Sequence, residues 1–113
     1  MALNNSALDV AGNALAANIT HLSLHSADPG AGGANETTAA RQPAGWTVTN
    51  GDLVATNRNF TGGTPNGPVT HVGYWTAASG GTFRGSQPLS GDTTFNAEGE
   101  YTVTNVTEDA SAS

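Results

Sequence analysis

The spacing of apolar residues changes period once along this chain, just after residue 18. Before that point it is helical: Leu3, Ala7, Val10 and Ala14 recur at intervals of four and three, with Leu8, Ala11 and Leu15 alongside. The pattern predicts an amphipathic helix over residues 1–18. Asn4, Asn5 or Ser6 can cap its start and Asn18 can mark its end. The stripe is rich in alanine, so the helix can lie close to a sheet or to a neighbour. Gly12 sits mid-helix, where glycine costs about 1 kcal/mol relative to alanine.

After Ile19 the period is two. Thr20 to His25 reads as a half-buried strand, with Leu22 and Leu24 on one face and His21, Ser23 and His25 on the other. Asp28-Pro29-Gly30 starts a turn, and the small residues up to Gly45 read as a long loop too polar to form core. Trp46–Thr49 and Leu53–Thr56 flank Asn50-Gly51, a strong hairpin signal. Asn59–Thr61 extends that edge, and a second loop covers Gly62–Pro68. In Val69–Thr76, Val72 and Tyr74 face one way and His71 and Trp75 the other. Short strands are expected at Thr82–Arg84, Thr93–Phe95 and Tyr101–Val106, with a bulge where the phase slips between Val103 and Val106. Thr107–Ser113 reads as a small acidic tail.

The expected architecture is therefore mainly β: a compact antiparallel β-sandwich or partly open barrel with one N-terminal helix. It is a single domain over residues 1–113, with a helix (1–18), a β domain (19–106) and an acidic tail (107–113). Leu22, Leu24, Val72, Tyr74 and Val103 are its expected core. The Gly-Gly pairs in Thr61–Thr64 and Ser79–Thr82 are loop tips and not an internal repeat.

Composition agrees with short strands and elaborate loops: 113 residues include 15 glycines, 16 threonines and 11 asparagines. The chain has no lysine, and Arg41, Arg58 and Arg84 face nine acidic residues, for a net charge of −6. That balance argues against nucleic-acid partners, whose phosphates are neutralised by Lys and Arg, and against anionic membrane surfaces. Met1–Asn18 lacks the basic leader and apolar run of a signal peptide or span. The absence of cysteine excludes disulfides and thiolate metal sites.

No pattern of catalytic residues stands out, and the chain is read as non-enzymatic, with no cofactor. His21 and His25 lie about 13 Å apart on a strand, too far for one metal ion unless His71 and Asp28 fold in beside one of them. There is no nucleophile elbow, and Ser79 and Ser86 sit in glycine-rich stretches that read as turns. Glycine-rich loops leading into strands do not make a phosphate cradle, which needs a helix N-terminus. The five Asn-x-Ser/Thr triplets follow from composition. The large apolar side chains suggest contacts: Leu3 and Val10 on the helix, and Trp46 and Trp75 in the β domain, are the candidate interface residues. Trp75 belongs either to such a surface or to a second layer behind the strand that carries it.

Several segments resemble a family of small virion proteins of tailed bacteriophages. They are Met1-Ala2-Leu3 with Ala7-Leu8-Asp9, His21–Gly30, Gly33–Glu36, Ala40–Pro43, Val72–Ala77 and Gly80–Phe83. The most specific part is Leu24-His25 followed by Asp28-Pro29-Gly30. The resemblance implies a virion structural protein with other virion proteins (major capsid or tail) as partners and association of copies into a homo-oligomer. Decoration of the capsid shell is the first expectation. The alternative is a minor tail, tail-tip or fibre protein in host attachment, with a host surface glycan as a further partner.

Overall fold

The computed structural model describes residues 4–109. Helix α1 spans Asn5–Asn18. Asn4 precedes it in extended conformation and its side-chain oxygen accepts the Ala7 N–H at 2.8 Å, pairing one of the donors that a first helical turn leaves free. Only one flank of the expected apolar stripe docks. Val10 is 70% exposed and Leu15 39%. The helix meets the sheet through Leu8 of that stripe, together with Asp9 and Gly12. A Cβ at Gly12 would stand 2.6 Å from Val48 Cγ1 and 3.2 Å from the Gly51 carbonyl, so the helical cost of glycine is offset by an approach that a side chain would prevent. Asp9 Oδ1 accepts the Gly51 N–H at 3.0 Å and locks the contact. Leu3 lies outside the described residues.

Seven strands follow: β1 His21–His25, β2 Gln42–Pro43, β3 Thr47–Thr49, β4 Asp52–Phe60, β5 His71–Trp75, β6 Phe83–Pro88 and β7 Tyr101–Asp109. They form two antiparallel sheets, β2-β1-β5-β6 and β3-β4-β7, which stack without closing into a barrel. Asn50 and Gly51 both adopt positive φ (52° and 85°) between the paired Thr49 and Asp52, the geometry a two-residue hairpin requires. One core lies between the sheets. Leu22, Leu24, Val72 and Tyr74 come from the first, and Ala55, Phe60, Tyr101, Val103 and Val106 from the second. The loops add Ala39, Ala44, Val69 and Phe95.

Several expectations are corrected. The chain from Ser26 to Gly45 contributes core at Pro29, Ala39 and Ala44, because small apolar residues fit where the loop crosses the sheet. Leu53–Thr56 and Asn59–Thr61 merge into the nine-residue β4. Thr93–Phe95 forms no strand and contributes one bridge, Pro68 to Thr94. Ser86 lies within β6 and not in a turn. β7 runs to Asp109, beyond the expected boundary at Val106, while residues 110–113 lie outside the described residues.

The phase slip in β7 is real but carries no inserted residue. Tyr101, Val103 and Val106 are buried, and the β4–β7 register keeps one offset but skips the pair of Asn57 and Thr104. Asn57 on β4 takes φ 52°, a left-handed conformation that interrupts the alternation at the skipped pair. The register shift falls elsewhere, between β5 and β6, where Tyr74 pairs with Gly85 but Trp75 pairs with Phe83.

Leu24 is fully buried in the core. Leu24→Ala is expected to destabilise the protein by about 2 to 5 kcal/mol, measured by urea unfolding; a loss below about 1 kcal/mol would contradict the packing described.

Candidate functional site

β1 is buried on both faces. Leu22 and Leu24 face the core, but Ser23 and His25 are also fully buried, contrary to the expected polar face. The cover is the loop that starts at Asp28-Pro29-Gly30. Asp28 Oδ1 accepts the Gly30 N–H at 2.9 Å, and the Pro29 carbonyl accepts the N–H groups of Gly33 and Ala34. These bonds curl the loop so that the Ala34 carbonyl reaches His25 Nδ1 at 2.8 Å. Gly33 lies on the Trp75 ring, where a Cβ would come within 2.7 Å of the indole.

A hydrogen-bonded chain results. The Trp75 indole N–H donates to Ser23 Oγ at 2.8 Å, and Ser23 Oγ stands 2.6 Å from His25 Nε2. With Nδ1–H donating to Ala34, Nε2 is the acceptor and the Ser23 hydroxyl donates to it. Every polar atom in the chain is paired. Gly73 leaves the space, since a Cβ there would stand 2.5 Å from His25 Nε2 and 2.6 Å from Ser23 Oγ.

A serine within reach of a histidine is the arrangement that activates a nucleophile. Here both residues have zero exposure, and the hydroxyl is already held by the indole, so the pair is built for packing. Burial pushes the His25 imidazole below its ordinary value, outweighing the opposing pull of the Ala34 carbonyl and Glu36; His71 and Arg41 add to the lowering.

Arg41 clamps the cover in place. Its Nε and Nη2 grip both carboxylate oxygens of Glu36 at 2.9 and 3.0 Å. Its Nη1 donates to the carbonyls of Ala77 and Gly80 at 3.0 and 2.8 Å. The guanidinium lies 3.7 Å from the centroid of the Trp75 ring. Phe83 packs edge-on against both Trp75 and His25. One side chain thus joins the loop, the β5–β6 tip and the indole.

The candidate contact residues fall in different surroundings. Val10 stands in the open on α1. Trp46 is half-buried, with its indole N–H on the Ile19 carbonyl at 2.8 Å and its ring edge-on to Tyr74. Trp75 belongs to the second layer. His21 and His71 bond to the neighbouring hydroxyls of Thr20 and Thr70. Among the described residues no group of three His, Asp or Glu side chains is placed to hold a metal ion. No helix among them is long and apolar enough to cross a membrane.

A groove of about 460 Å³ lies elsewhere on the sandwich, between the ends of β6 and β7. Val72, Leu89, Val103 and Val106 line it together with Thr102, Thr104 and Asn105. Gln87 spans it, donating to the Tyr74 hydroxyl and to the Thr107 carbonyl. Reading by alternation assigned Ser86 and Gln87 to no strand, so the groove was not foreseen. The Arg41 clamp was not foreseen either, although Ala40–Pro43 is among the segments that carry the resemblance.

A family model described as podophage GP4 fiber I protein gp80 matches residues 2–109. The chain belongs to this family. It is accordingly a structural protein of the phage virion. No curated protein matches it.

Two outcomes test the buried chain in this family member. Unfolding returns His25 to its ordinary value of 6.5, so the unfolded chain binds the proton first as the pH falls. Stability from the neutral ring is fully present above 6.5 and is lost progressively below it. The melting midpoint should therefore fall from about pH 7.5 to about pH 5, and His25→Gln should flatten that dependence. Arg41→Lys keeps the charge but loses the fork, and should cost about 2 kcal/mol in urea unfolding.

Proposed function

We propose that this protein is a non-enzymatic subunit of a short-tailed phage's fibre apparatus, in preference to a decoration protein of the capsid shell. The family match carries the reading: a fibre-protein description covers 108 of the 113 residues (2–109), and so the whole folded body. The body measures 48 × 25 × 21 Å, a blunt elongated module rather than a long shaft. That suits a tip, collar or adaptor position within a fibre.

The distribution of polar chemistry supports a packing role. The Ser–His pair is enclosed, and the three arginines bond within the fold: Arg41 as described, Arg58 Nε to the Thr56 carbonyl and Arg84 Nε to Asn18 Oδ1. A glycan platform needs open aromatic faces. Trp75 lies beneath Arg41 and Trp46 lies against Tyr74, so neither offers one. The partners are then other virion proteins, with Val10 and the rim of Trp46 as contact positions. Repeated copies on a particle allow weak contacts to persist through multivalency.

Immunogold labelling of purified particles tests the assignment. Label on fibres or tail tips is expected. Label spread over the heads would establish shell decoration instead, and absence of the protein from particles would remove both readings.

A further inference from the structure

The four strand edges of the sandwich are treated unequally. On one side the edge strands are short: β2 has two residues, one of them Pro43, and β3 has three and lies beside α1. Short strands, proline and a covering helix are the devices that block pairing with another chain. On the other side β6 has six residues and β7 nine, with the apolar-lined groove between them.

β7 is the open edge. β6 ends at Pro88, which has no N–H to offer. β7 has neither proline nor lysine, and Thr102–Thr107 carries no charge. The Gln87 side chain reaches the Thr107 carbonyl, which marks that residue's backbone as outward-facing. By strand alternation the backbone groups of Asn105 face the same way, up to the phase slip that precedes it. Among the described residues, Thr102–Glu108 makes no backbone–backbone hydrogen bond beyond its ladder with β4.

Charge selects the occupant. Asp92 stands at one end of the groove, where its carbonyl accepts the Tyr101 hydroxyl. Glu108 stands seven residues further along β7, about 23 Å away at strand rise. Arg41 is paired with Glu36, Arg58 and Arg84 stand against nine acidic residues, and the net charge is −6, so a second copy would bring mainly like charge to this edge. A basic strand would gain at both ends.

We propose that the β7 edge and its groove receive an extended segment of another protein of the particle, added as a strand. The segment is about seven residues long, the length of the open edge. It carries apolar residues at alternate positions for the groove, and lysine or arginine at its ends. Main-chain hydrogen bonds supply affinity, and the alternating pockets and end charges supply selectivity. The inference rests on the chain being a particle protein and holds for a fibre or a shell position alike.

The chain has no cysteine, so Asn105→Cys provides a single attachment point for a benzophenone cross-linker at an exposed β7 position. Ser79→Cys, at the exposed β5–β6 tip, is the control. After irradiation of particles carrying the labelled protein, position 105 is expected to cross-link a basic-flanked segment of a different particle protein, and position 79 not to. The Asn105 and Thr107 amides should exchange at least about tenfold more slowly in the particle than in the free protein. The double variant Asp92→Asn/Glu108→Gln should show lower occupancy on particles. A cross-link to another copy of this chain, labelling no stronger than at position 79, or unchanged exchange would each overturn the proposal. Unchanged occupancy of the double variant would overturn its choice of a basic partner. Wild-type protein missing from particles would overturn the particle reading as well, which separates that failure from this one.

Discussion

Burial of β1 on both faces is the constraint around which the rest of the structure is arranged. A strand with water on one side can leave serine and histidine to the solvent. Here the loop from Asp28 to Arg41 covers that side, so each polar atom of Ser23 and His25 needs a partner within the protein. The Trp75 indole, the Ser23 hydroxyl, the His25 ring and the Ala34 carbonyl meet that need in one directed chain. Gly73 supplies the room and Gly33 the close approach of the cover. The loop in turn depends on Arg41, whose fork on Glu36 and bonds to two carbonyls hold it against the β5–β6 tip.

The same economy shapes the surface. With no lysine, three arginines against nine acidic residues and a net charge of −6, the outside is acidic and hydroxyl-rich. Like charge on such a surface opposes contact between copies. What it leaves for assembly is backbone geometry and a few apolar positions. α1 contributes exposed Val10, because its docking runs through Leu8 and Gly12 on the flank of the apolar stripe. The sandwich contributes the unequal edges, two of them short and one long and open.

Much of the fold was legible because local signals agreed with the tertiary outcome. Asn50-Gly51 demanded a hairpin, and Leu22, Leu24, Val72, Tyr74 and Val103 alternated as core residues do. The predicted phase slip in β7 was present too, although its cause lay on the partner strand at Asn57. β6 was only partly legible, since Phe83–Pro88 contains glycine, serine, glutamine and proline and joins the sheet by pairing with β5 rather than by propensity. The candidate site was less visible, because its partners are far apart in sequence. Ser23 and Trp75 are separated by 52 positions, and Arg41 and Gly80 by 39.

The sequence alone determined the helix, the hairpin, the alternating core strands and the mainly β class, since these depend on residues within a few positions of one another. It also determined the acidic, cysteine-free character and carried the phage resemblance. Only the tertiary structure decided that the polar face of β1 would be sealed, that Leu8 and Gly12 on one flank of the apolar stripe would seat the helix, and that β7 would be left with a free edge. Those outcomes depend on which distant segments meet, and a periodic pattern specifies which face of an element is apolar without specifying what will cover the other.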